Sequence, residues 1–256
     1  MRRGARFPKS IATTNRSIVT KDGEILFVFK KSFRKAIAIS VDENSKVTVY
    51  APKHSSDKSI FDFIRQKQAW IVHKQQDALK NKASVNSRKF EDGEKFLFLG
   101  KSFKLEVIEK EIKRTKMEFD GIHLKLFIPI GVVLAEKNKF IKEKLIKWYR
   151  LQADEILGGR LFYYSRIIGI EPKKISVRTQ KRLWGNCDYN KQSINLNWHI
   201  ILSPINVVDY VVVHELCHLL VPNHSKRFWN KVEKVLPNFQ DHKKWLKTHA
   251  YDIMLP

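Results

Sequence analysis

His214-Glu215-Leu216-Cys217-His218 is followed six residues later by His224. On a helix, His214 and His218 stand one turn apart on the same side, so both imidazoles can reach one metal ion. Glu215 adjoins the first of them and can address a water in an open coordination position. Three protein nitrogens with one position left open is the arrangement of a catalytic zinc rather than a structural one. The spacing therefore points to one Zn2+ held by His214, His218 and His224, with Glu215 as the general base.

The flanking residues support a helix there. Ser203-Pro204 stands upstream, with Ser suited to the N-cap and Pro to the first helical position. Residues 205–220 are long enough for four turns. Their valines (Val207, Val208, Val211, Val212, Val213) also suit a buried strand, but length, the Ser-Pro start and the histidine spacing favour a buried helix. Val221-Pro222-Asn223 then breaks it, because the residue before Pro leaves the helical region and Asn tolerates a left-handed turn. The chain can fold back there and bring His224 to the metal.

Composition bounds the remaining possibilities. The chain has 256 residues, 43% of them hydrophobic, enough for a substantial core and two subdomains. Its two cysteines, Cys187 and Cys217, are no disulfide framework and suit a reducing, cytoplasmic compartment. No apolar run is long enough to span a bilayer, so no membrane partner is expected. The formal net charge is +23. Residues 1–130 carry 28 basic and 15 acidic residues, and residues 131–256 carry 21 and 11, so the excess is spread along the chain. Such a field attracts polyanions without sequence preference, which makes non-specific nucleic acid a candidate partner beside a protein or peptide substrate.

Three regions are expected. Residues 1–22 hold six basic residues and one acid, Asp22, and read as a basic flexible tail. Residues 23–135 form a β-rich subdomain: strands across 24–51, a helix across 57–82 with Ile60, Phe61, Ile64, Trp70 and Ile71 on its apolar side, then strands at 95–108 and 112–129 turning at Gly100 and Gly121. Residues 136–256 follow as the metal-binding subdomain. It has a long helix over 138–168 that Gly158-Gly159 can weaken, strands at 175–179 and 194–198, the metal helix, and two closing helices. No internal repeat is visible. The fold class is α+β.

Several blocks resemble the YgjP-like metallopeptidase family, which is related to the SprT-like and zincin metallopeptidases. They are Arg178-Thr-Gln-Lys181-Arg-Leu-Trp184-Gly185-Asn186-Cys187, Ile194-Asn195-Leu196-Asn197 leading to Ser203-Pro204, and Tyr210 through His218 followed by Asn223-His224-Ser225 and Phe228-Trp229. Ala51-Pro52, Trp70-Ile71 and Leu99-Gly100-Lys101 extend the likeness into the front half. Asn186 stands where the family usually has Ser. The histidine spacing also matches the metzincins, but Val221 occupies their Gly position, and Met254 is a poor methionine turn. The resemblance implies a zinc-dependent peptidase with a zincin-like, helix-borne site beside a small sheet.

Other site residues are less constrained. Arg178, Lys181, His249 and Tyr251 are candidate donors to a tetrahedral oxyanion, with Arg178 and Lys181 taken as substrate-binding. Strand 177–179 could pair with an extended substrate. Trp184, Phe228, Trp229 and Cys217 read as core. The alternative function is a nucleic-acid-associated module with a structural or vestigial zinc, or a protease recruited to DNA. Glu215 weighs against a purely structural site, which needs no base.

Overall fold

The computed structural model of the chain describes residues 13–20, 23–42, 44–86, 88–131, 137–180 and 183–256. They divide into two units, 1–87 and 88–256. The fold is α+β.

In the first unit, β1 (Thr13–Thr20), β2 (Gly23–Ser32), β3 (Ala38–Val41) and β4 (Val47–Pro52) form one sheet in the order β1-β2-β4-β3. β2 and β4 run parallel, and both outer strands pair antiparallel. Alternation selects the core face: Ile25, Phe27 and Phe29 of β2 and Val47, Val49 and Ala51 of β4 are buried. Helices α1 (Asp57–Gln66) and α2 (Gln68–Asn86) contribute Ile60, Ile64 and Ile71 to the same core. The Ser56 hydroxyl caps α1 by accepting the Ser59 N–H at 3.2 Å.

Two expectations change here. Residues 13–20 are a strand rather than part of a flexible tail, because Ile18 packs into the core and the segment pairs with β2 along its whole length. Residues 1–12, 21 and 22 lie outside the described residues. The single helix expected over 57–82 is two helices meeting at Lys67, whose N–H is shared between the Phe63 and Ile64 carbonyls at 3.1 Å each. The break lets Ile71 enter the core, while Trp70 remains 43% exposed.

The second unit begins with β5 (Lys95–Phe98), β6 (Lys101–Lys110), β7 (Lys116–Phe119) and β8 (His123–Pro129), in the order β5-β6-β8-β7 with β6 and β8 parallel. This is the topology of the first sheet again. Helix α3 (Lys137–Ile168) buries Ile141, Leu145, Tyr149, Ala153, Leu157 and Leu161, each four residues from the next. It runs unbroken through Gly158-Gly159, where Leu157 and Leu161 anchor it to the core and Arg160 clasps Asp209 with two bonds at 2.5 and 2.7 Å. The boundary expected between residues 135 and 136 is not where the units divide. Phe96, Phe98, Leu105 and Leu124 share one core with α3, so the second sheet belongs with the elements C-terminal to it.

The rear of this unit holds β9 (Lys174–Arg178), β10 (Gly185–Asp188) and β11 (Ser193–Asn197), in the order β10-β11-β9. A 3-10 helix (Trp198–Leu202) leads into α4 (Ile205–His218), followed by α5 (Lys226–Val235) and α6 (Phe239–Thr248). The β5–β6 turn docks on this region. The Leu99 and Gly100 N–H groups donate to the Ile201 and Leu202 carbonyls at 2.8 and 3.2 Å. Gly100 has φ +78°, and a Cβ there would sit 2.7 Å from the Pro204 Cα, so the close approach needs glycine. Ser203 does not cap α4. Its hydroxyl donates to the Ile200 carbonyl at 2.6 Å, and Pro204 takes the N-cap position with its carbonyl accepting the Val207 and Val208 N–H groups.

Candidate metal centre

The valine-rich run forms the buried helix α4, with Val207, Val208, Val211, Val212 and Val213 in the core. His214 and His218 lie on its one half-exposed stripe, a turn apart. The helix ends at Leu219, and the Val221 N–H closes on the Cys217 carbonyl at 2.9 Å. Pro222 prevents continuation, and Asn223 accepts the Ser225 N–H at 3.2 Å through its side chain. This turn returns His224 to the end of α4.

The three imidazoles meet through their Nε2 atoms: His224 to His214 at 3.0 Å and His218 to His224 at 3.2 Å. Among the described residues this is the group of His, Cys, Asp and Glu side chains able to hold a metal. The spacing fits, since a tetrahedral zinc with nitrogens about 2.0–2.1 Å away sets them roughly 3.3 Å apart. The His218 Nδ1–H donates to the Val221 carbonyl at 3.1 Å, which turns the Nε2 lone pair toward the cluster. His214 Nδ1 is buried without a protein partner among the described residues, so the polar engagement of this ring is the shared nitrogen cluster. Burial, then the charges of His218, His224 and Lys243, lower the His214 pKa to about 3. Burial first also lowers His218. Neutral imidazoles are the form that binds metal.

Aromatic rings fix the histidines from behind. Phe228 is fully buried on α5, its ring 4.3 Å from and nearly parallel to that of His218, and 4.9 Å from both other imidazoles. Trp229 stacks on His224 at 5.5 Å and on Phe239 of α6 at 5.2 Å. Phe228 is therefore core, as expected, whereas half-buried Trp229 borders the site.

Glu215 is 5% exposed on the same helix. Burial raises its pKa to about 8. It faces β10: a Cβ added to Gly185 would lie 2.7 Å from Glu215 Cγ and 2.8 Å from Oε1. Gly185, the first residue of that edge strand, thus makes room for the carboxylate. Cys187, two residues on, is half-buried, its thiol pushed up to about 12 by burial and then by Glu215 and Asp188. Cys217 is fully buried and outside the histidine cluster.

The remaining candidates fall elsewhere. Arg178 ends β9, the opposite edge of the three-stranded sheet from β10, so the edge beside Glu215 is β10 rather than strand 177–179. Lys181 lies outside the described residues. His249 stacks on Trp245 at 4.4 Å and bonds its carbonyl at 2.9 Å through Nδ1, and Tyr251 is exposed. Sequence reading gave Gly185 only as part of a family-like block, without its place beside Glu215, and overlooked Lys243. Lys243 Nζ lies 4.1 Å from the centre of the Trp229 ring and places positive charge beside the cluster. Neither position carries a local pattern, because both contacts join segments far apart in the chain.

A family model described as YgjP-like, metallopeptidase domain, matches residues 35–249. No curated protein matches the chain. Among solved structures, the crystal structure of the metallopeptidase zymogen of Pyrococcus abyssi abylysin is similar over 36% of this chain and 92% of that one, at 24% identity and a TM-score of 0.34.

Proposed function

The chain belongs to the YgjP-like metallopeptidase family, and from that premise we propose that it is a zinc-dependent peptidase of the zincin-like kind. His214, His218 and His224 hold the ion, Glu215 is the general base, and the substrates are proteins or peptides of the cytoplasm. The observation that carries this reading is the convergence of three Nε2 atoms beside a buried carboxylate.

His214, His218 and His224 would hold the zinc, which would supply Lewis acidity toward the scissile carbonyl and the attacking water. The Glu215 carboxylate takes the water's proton on an oxygen and later returns it to the departing amine nitrogen. Phe228 and Trp229 keep the imidazoles in place during both transfers. The edge of β10 that pairs with no other strand among the described residues offers backbone groups to an extended substrate next to Glu215.

Glu215→Gln retains every nitrogen ligand and loses the base. We expect one zinc per chain by elemental analysis and hydrolysis of an unfolded protein substrate reduced by about 10³-fold or more. His214→Ala, His218→Ala and His224→Ala each lose the metal, and a chelator abolishes wild-type cleavage. Wild-type rates from Glu215→Gln would sink the assignment of the base, and full zinc retention by His224→Ala would remove that residue from the ligand set.

A further inference from the structure

The parallel pairing of β2 with β4 sets Ser32 beside Pro52. The segments that continue from the two strands, 33–37 and 53–55, therefore leave the same end of the sheet as neighbours. Residues 30–35 read Lys-Lys-Ser-Phe-Arg-Lys and residue 53 is Lys, so this end gathers five cations. None of Lys30, Lys31, Arg34, Lys35 and Lys53 has an ion pair with a carboxylate among the described residues. Asp42 and Asp57, which flank these segments, are engaged elsewhere. Asp42 accepts the Asn44 and Lys46 N–H groups at 3.0 Å, and Asp57 accepts Arg16 at 2.6 Å.

Aromatic rings are set among the charges. Lys53 Nζ lies 4.3 Å from the centre of the Phe33 ring, and Arg34 Cζ 5.0 Å from that of Tyr50. Phe33 is 78% exposed, so its ring adds nothing to the core. Tyr50 is half-buried and alternates with the core-facing Val49 and Ala51. Uncompensated cations on flat rings match a ligand with spaced negative charges and planar apolar faces.

We propose that Lys30, Phe33, Arg34, Tyr50 and Lys53 form a binding surface for single-stranded nucleic acid. Bases stack on Phe33 and Tyr50, and phosphates are drawn by the lysines and Arg34. An acidic peptide satisfies the cations but leaves the rings unused. An anionic membrane needs more apolar surface, because Phe33 is the one large apolar side chain exposed in the two segments. A duplex hides its base faces inside the stack and loses the ring contacts.

The test is fluorescence anisotropy of the full chain with a labelled oligothymidylate about 20 nucleotides long. The corresponding duplex and phosphatidylserine-containing vesicles serve as comparisons. We expect tighter binding to the single strand than to the duplex. Phe33→Ala should weaken binding about tenfold with an unchanged salt slope, since stacking releases no counterions. Arg34→Ala/Lys53→Ala should weaken it at least tenfold at low salt and make the log–log salt slope shallower by about 1.4. Lys173→Ala/Lys174→Ala removes the same charge from exposed positions of the second unit and should change affinity less than about twofold. The proposal fails if this control pair costs as much as the Arg34/Lys53 pair, or if Phe33→Ala binds like wild type. It also fails if vesicles retain the protein while the oligonucleotide does not. None of these readouts depends on peptidase activity.

Discussion

Gly185 shows how much of a site can rest on a residue without a side chain. The histidine spacing and the adjacent Glu215 were legible in the sequence because they belong to one helix and its following turn, where periodicity converts spacing directly into geometry. The space that Glu215 occupies was not legible. It is set by a strand some thirty residues earlier in the chain and by the absence of a Cβ there. Gly185→Ala puts a methyl group 2.8 Å from Glu215 Oε1 and displaces the carboxylate while leaving all three imidazoles untouched. A shift of this size in a proton-transferring group costs about 10²-fold in rate. We expect kcat to fall by that order, with KM changed little and zinc content unchanged, as read by steady-state kinetics and elemental analysis. Loss of zinc in parallel with activity would show instead that β10 supports the ligands and not the base.

At the scale of elements, the reading from sequence succeeded where pattern and length agreed and failed where tertiary contacts took over. The valine-rich α4 was ambiguous by periodicity and resolved by length. The cap expected from Ser203 does not form, because its hydroxyl bonds the 3-10 helix behind it. That 3-10 helix also holds the chain end. The His199 ring, 3% exposed, lies between Asn197 Oδ1 at 3.0 Å and the Leu255 carbonyl at 3.2 Å, and stacks on Trp198 at 3.7 Å. Burial, outweighing its bond to Leu255, lowers the His199 pKa from 6.5 to about 4. The unfolded chain therefore takes up a proton at higher pH than the folded one. The stabilising contribution is complete above pH 6.5 and is lost as pH falls through 4, amounting at most to about 3 kcal/mol. His199→Gln keeps a donor and an acceptor but cannot titrate. Chemical denaturation across this window should show wild type losing stability relative to the variant as the solution is acidified. Parallel curves would mean that the ring does not titrate between those limits.

At the scale of the whole molecule, two four-stranded sheets share one strand order with a parallel central pair, although no repeat is visible in the sequence. A topology can recur without residue similarity because each sheet asks only for alternation on its inner strands, and β4 and β8 satisfy it with different residues. The two core clusters share no residue: that of the second unit runs from Phe90 to Ile253, and that of the first from Ile18 to Ile71. No helix among the described residues is long and apolar enough to cross a membrane. The three histidines, Glu215, Gly185 and the aromatic wall all belong to the second unit. A segment of that size buries enough surface to fold by itself. We therefore expect a fragment of residues 88–256 to unfold cooperatively by circular dichroism, to bind one zinc per chain, and to keep hydrolysis that Glu215→Gln removes. The wild-type fragment should lose its preference for single-stranded oligonucleotide, since the cationic ring cluster lies in residues 30–53. A fragment that is unfolded, or that folds without retaining zinc, would place the folding unit of the site beyond the boundary at Arg88.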